Sequence, residues 1–134
     1  MANTESLIRS YYESFNAGDV DGMLALLAED VAHDINQGGR EYGIPAFRAF
    51  MDRMNAHYQE ELRDIVVMAE PTGHRAAAEF TVHGTYLTTD EGLPEARGQR
   101  YILPAGAFFE LRAGRIARVS NFYNLADWLR QVGD

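Results

Sequence analysis

Residues 31 to 43 read VAHDINQGGREYG, and they decide how the chain is laid out. Val31 and Ala32 begin what reads as a buried strand, but His33 and Asp34 then put two polar groups where apolar ones should follow. A polar turn with Gly38 and Gly39 comes next, and Gly43-Ile44-Pro45 opens a helix, with proline in the first turn where its missing N–H is not needed. Two readings of Asp34 stand side by side. It can be a general base at a pocket mouth, its pKa moved by an apolar surround. It can equally be the polar end of a strand, capping the following turn. Neighbouring strand residues point to opposite faces, so an inward Asp34 predicts an outward His33.

Before this stretch, Leu7, Tyr11 and Phe15 repeat at i, i+4, i+8 between Thr4 and Ala17, beside Ile8 and Tyr12. That spacing predicts an amphipathic helix, capped by Asn3 or Thr4 and closed by Gly18. Asp19 reads as the cap of a second, short helix, DVDGMLALLA. After the stretch, Phe47, Met51, Met54 and Tyr58 form the buried stripe of a third helix, widened by Phe50. The period then changes. LRDIVVMAE, RAAAEFTVHGTYL, GQRYILPAGAFFELR and RIARVSNFYNL read as four strands, separated by turns at Pro71–Gly73 and Ala113–Gly114 and by a loop from Thr89 to Pro94. Ala126 to Val132 can form a last short helix. Helices followed by an antiparallel meander indicate an α+β fold, expected as one domain over residues 1–134.

Composition narrows the chemistry. The 12 cations are all arginine against 20 acidic residues, a net charge of -8, which argues against nucleic acid and anionic membranes as partners. Without cysteine there is no thiolate nucleophile, and without lysine no Schiff base. The four histidines show no metal-ligand spacing, so neither a metal nor another cofactor is expected. There is no apolar run of membrane-spanning length and no signal-like N-terminus, which makes the cytoplasm the simplest compartment.

The phrases YYESFNAGDVDGMLALLAEDVAHDINQGGREYGIPAFRAFM and FFELRAGRIARVSNFYNL carry a resemblance to the nuclear transport factor 2-like superfamily, in its SnoaL-like and ketosteroid isomerase-related branch. The resemblance implies a cone: three N-terminal helices packed on a curved, mostly antiparallel sheet that encloses an apolar pocket. It also implies roles. Tyr11 falls where the isomerases keep a tyrosine that donates to an oxyanion, and Asp34 falls where they keep the general base. Their third position, a protonated acid, is Gly106 here. A homodimer through the outer sheet face is implied as well. Fold alone does not fix the reaction, because the superfamily holds isomerases, cyclases, dehydratases, epoxide hydrolases and inert binding modules.

Strand parity supplies the remaining candidates. Ala76, Ala78, Phe80, Val82 and Gly84 share one apolar face, expected to line the cavity; Glu79, Thr81, His83 and Thr85 share the other. Val119, Asn121 and Tyr123 share a face of the last strand, and a buried Asn121 demands partners, so it can supply the donor that Gly106 cannot. In LPAGAFF, Pro104 and Gly106 suggest a kink that bends the sheet. The expected catalytic set is Asp34, Tyr11 and Asn121. The expected walls are Phe50, Met54, Phe80, Val82, Phe108, Val119 and Tyr123. Together they point to cofactor-independent proton transfer on a small apolar carbonyl compound, of isomerase, cyclase or dehydratase type. The alternatives are a non-catalytic ligand-binding or dimerisation module, and an epoxide hydrolase using an Asp–Arg–Asp arrangement.

Overall fold

A computed structural model describes residues 3–133. The elements run α1 (Thr4–Asn16), α2 (Val20–Leu24), β1 (Leu27–Asp34), β2 (Arg40–Tyr42), α3 (Ile44–His57), β3 (Tyr58–Ala69), β4 (Arg75–Tyr86), β5 (Arg100–Arg112), β6 (Arg115–Tyr123) and α4 (Leu125–Val132). The fold is α+β, with helices preceding a curved, open six-stranded sheet of order β2-β1-β6-β5-β4-β3. Every pairing is antiparallel except β1 with β6, which is parallel. No helix among the described residues is long and apolar enough to cross a membrane.

The helix ends follow local chemistry. Asn3 accepts from Ser6 N at 2.7 Å, Asp19 from Gly22 N at 2.8 Å and Asn124 from Asp127 N at 3.1 Å, each satisfying an orphan donor of a first turn. The third helix begins after Gly43, whose φ of 94° few other residues tolerate, and it has Pro45 in its first turn. It stops at His57, and Tyr58, expected on its buried stripe, is instead the first residue of β3. That strand therefore starts four residues before the apolar run that announces it.

Alternation then fixes the two faces of the sheet. In β4, Ala76, Ala78, Phe80, Val82, Gly84 and Tyr86 are buried, while the residues between them are partly or fully exposed. The inner face packs against α1 and α3 through Ile8, Tyr12, Phe47 and Met51, all buried. Burying each such side chain is worth roughly 1.5–3 kcal/mol. Curvature comes from a register shift in β3 between Arg63 and Val66, where Asp64 takes φ 56°. The expected kink at Pro104–Gly106 is absent: β5 pairs with β4 without a shift from Arg100 to Glu110. Pro104 lies just past the end of the β6 ladder, which terminates at Ala105 with Tyr123. A Cβ at Gly106 would lie 3.0 Å from the Ala78 carbonyl oxygen, a tight contact across the β4–β5 ladder.

Candidate functional site

The inner face of the sheet, α1, α3 and the N-terminal part of α4 leave a cavity of about 810 Å³ between them, within the range of small-molecule sites. Its walls are mainly aromatic and thioether side chains, and among the expected residues Tyr11, Phe50, Met54, Phe80, Val82, Asn121 and Tyr123 reach it. Two expected wall residues do not. Phe108 has the opposite parity from the inward Ala107 and Phe109; it is exposed on the outer face, edge-on to Phe122 at 5.6 Å. Val119 has the inward parity but is sealed completely within the core.

The largest correction concerns the opening stretch. His33 pairs with Val119 and Asp34 with Ser120 across the β1–β6 ladder, so His33 shares the inner face and Asp34 the outer one. His33 is 2% exposed, clasped by Phe47 at 4.4 Å and Phe50 at 4.6 Å, and it lines the cavity. Burial is what lowers its pKa to about 4, against a smaller opposing pull from Asp34, so the ring is neutral at pH 7. Asn121 Nδ2 lies 3.3 Å from His33 Nε2; with the amide donating, the ring proton sits on Nδ1. That nitrogen and the Tyr12 hydroxyl are buried with no partner among the described residues.

Asp34 is occupied elsewhere. Both its oxygens accept from Arg40, at 2.6 and 2.9 Å, and the Ser120 hydroxyl donates to it at 2.5 Å. Arg118 in turn donates to Ser120 at 2.6 Å and pairs with Glu110 at 3.2 Å. The hydrogen bond from Arg40 is the main reason the Asp34 carboxyl sits at about 2, well below its ordinary range. A carboxylate so stabilised and so placed is a poor base for anything in the cavity.

Three other carboxylates do line it, those of Glu60, Asp90 and Glu91. Asp90, in the β4–β5 loop, is 4% exposed and receives Arg53 at 3.0 Å and the Tyr58 hydroxyl at 2.9 Å. Burial pushes its carboxyl up, but those donors outweigh it and leave the pKa below the usual value. Glu60, on β3, has no arginine partner among the described residues. It is exposed, lies among the residues lining the cavity, and accepts a hydrogen bond at Oε2 from the Tyr101 hydroxyl at 2.5 Å. Desolvation dominates there and raises the carboxyl, the phenol offsetting it in part. Glu60 thus has the character expected of Asp34: an ionisable carboxylate facing apolar space, made more basic by its surroundings.

The sequence held a signal for Glu60. Counting back from the buried Leu62 by twos gives Glu60 and Tyr58 on the inner face, but an expected strand starting at Leu62 leaves both outside it. Asp90 had no such signal, because loop residues carry no parity. Of the expected catalytic trio, the structure brings Tyr11 and Asn121 to one cavity and places Asp34 behind the sheet. Tyr11 is packed edge-on against Tyr12 at 5.2 Å and Phe109 at 5.9 Å, and burial drives its phenol far up.

Helices packed on a curved, open six-stranded mixed sheet with a cavity between them define an α+β fold class. The comparisons make it more specific: residues 8–119 match the SnoaL-like domain, and the chain belongs to that family. It is similar over 99% of its length, at 59% identity and a TM-score of 0.98, to all of a Pseudomonas putida KT2440 protein provisionally named a polyketide cyclase. A protein of Xanthomonas campestris pv. campestris with the same provisional name is 60% identical, with a TM-score of 0.95, 97% of this chain and 96% of that one being covered. An epoxide hydrolase-like structure from M. tuberculosis shares the fold at 16% identity and a TM-score of 0.72, over 96% of this chain and 88% of that one. Among curated proteins, none matches.

Proposed function

We propose that the protein is a cofactor-independent enzyme of cyclase or isomerase type, moving a proton on a small apolar carbonyl compound held in the cavity, with Glu60 as the base. The observation that carries this reading is the Glu60 carboxylate. It faces an apolar cavity, is bound by one phenol, and is desolvated toward higher basicity. A base of that kind abstracts a proton from carbon next to a carbonyl, and returning the proton to a different atom completes an isomerisation. Negative charge developing on the carbonyl oxygen needs a donor. Asn121 is the proposed donor, held by His33; Tyr11 is the second, from α1. The provisional cyclase names of the 59–60% identical relatives support the same reaction class.

The hydrolase alternative wants two aspartates flanking an arginine. The cavity supplies Asp90 with Arg53, but its other donors are the Tyr58 hydroxyl and the Glu91 backbone N–H, and Asp90 is held in its ionised form. The test of the leading reading is exchange of the acidic α-protons of 2-tetralone in D₂O, followed by NMR. Glu60→Gln should slow the catalysed exchange by roughly 10²–10⁴-fold. A protein that binds the ketone and never accelerates exchange is the inert binding module instead.

The expected homodimer is a companion proposal. The outer sheet face exposes Ile102, Phe108 and Phe122, each more than half exposed. Isolated large apolar side chains on a surface are ordinary, but a cluster on one sheet face favours a partner. Phe108→Asp with Phe122→Asp should turn a dimer into a monomer by light scattering; a monomeric native protein would discard the idea.

A further inference from the structure

Glu60, Gly84 and Tyr101 form one row across three adjacent strands: Glu60 pairs with Gly84 on β3–β4, and Gly84 with Tyr101 on β4–β5. Two strand spacings put the outer members of such a row about 10 Å apart at the backbone, too far for ordinary side chains standing perpendicular to the sheet. Here the tyrosine lies across the middle strand. A Cβ on Gly84 would come within 2.2 Å of Tyr101 Cζ and 2.5 Å of its hydroxyl oxygen. The ring therefore occupies the space that every other amino acid at position 84 would fill. Tyr101 is 2% exposed and is packed edge-on against Trp128 of α4 at 5.9 Å.

We propose that Tyr101 is the positioning residue of the site, laid across Gly84 and backed by Trp128 so that its hydroxyl fixes the Glu60 carboxylate at the cavity wall. This rests on the reading of Glu60 as the base. A carboxylate without a lysine or arginine beside it is free to rotate. One strong donor on Oε2 removes that freedom and leaves Oε1 for the substrate. The glycine follows from the same geometry. A strand interior gains nothing from glycine itself, and its presence in β4 is explained by the close approach of the ring. The C-terminal helix contributes as well, since Trp128 of α4 packs edge-on against the Tyr101 ring.

The test is a ¹³C NMR titration of Glu60 in the whole protein, read beside the pH profile of 2-tetralone exchange. The other ionisable groups facing this part of the cavity include Tyr58 on β3, Arg53 on α3, Tyr101 on β5, Tyr123 on β6, and Asp90 and Glu91 from the loop. Tyr101→Phe removes a donor that favours the charged carboxylate, so the Glu60 midpoint should rise by roughly half a pH unit or more. The acidic limb of kcat/KM should rise with it. Gly84→Ala should reproduce the shift by displacing the ring, and combining the two substitutions should add nothing. An unmoved midpoint in Tyr101→Phe overturns the proposal, whatever Glu60→Gln does to exchange. A raised midpoint with exchange undiminished in Glu60→Gln upholds the positioning and overturns only the base assignment.

Discussion

His33 and Asp34 are consecutive residues of one strand, yet they belong to different parts of the molecule. The histidine is locked between Phe47 and Phe50 on the inner face, neutral, bonded to Asn121. The aspartate, behind it, is tied to Arg40 and Ser120 in a polar network that runs through Arg118 to Glu110 and Arg75. In this outer-face network each charge meets an opposite charge or a hydroxyl, and the Asp34 carboxyl becomes more acidic. On the inner face desolvation dominates at Glu60, and its carboxyl becomes more basic. The lesson is that an ionic network stabilises an ionised group by making it unreactive, whereas a cavity destabilises it and makes it useful.

The comparison can be broken by experiment, and the largest effect belongs to Glu60. Its replacement by Gln should remove catalysed exchange, while Asp34→Asn should leave the rate within about twofold, because surface substitutions remote from the reacting atoms do little. Next is the pH dependence of folding. The unfolded chain protonates His33 below about 6.5, whereas the native chain resists until about 4. Stability should therefore fall as pH drops from about 6.5 to about 4, by roughly 2–3 kcal/mol from this group. His33→Phe should flatten that portion of a urea-melt series; an unchanged profile would show that the ring is not buried neutral.

Glu60 should show the opposite sign. Its native carboxyl is raised, so the folded state binds the extra proton and loses stability as pH rises above the ordinary carboxylate value. Glu60→Gln should accordingly stabilise the protein at pH 8 and not at pH 4, the pattern of a site that trades stability for reactivity. The smallest effect is Asp34→Asn, about 1 kcal/mol because the pair is partly solvated. The Asp34 contribution is complete above about pH 4 and disappears as pH falls toward about 2, below the window of His33.

Much of the fold was legible in the chain. Helix starts at Asn3 and Asp19, the turn to α3 at Gly43, and the inward set of β4 all follow from capping, glycine and alternation. The site was less legible, for one physical reason. Parity assigns faces only once a strand is anchored to an unambiguous buried residue. Anchoring β1 on Val31 turns His33 inward; anchoring it on the resemblance turned Asp34 inward, and a shift of one residue exchanges the faces. The same count from Leu62 reaches Glu60. By contrast, the row Glu60–Gly84–Tyr101 required the registers of three strands, and Asp90 required a loop conformation. Neither is encoded in local pattern.

The central claim is that the reactive carboxylate is Glu60 and that Asp34 is structural. It is tested most directly by measuring 2-tetralone exchange in D₂O for Glu60→Gln and Asp34→Asn side by side at pH 8. Loss of catalysed exchange in Glu60→Gln, with a near-native rate in Asp34→Asn, is the predicted result. The reverse pattern would contradict the account and return the base to β1.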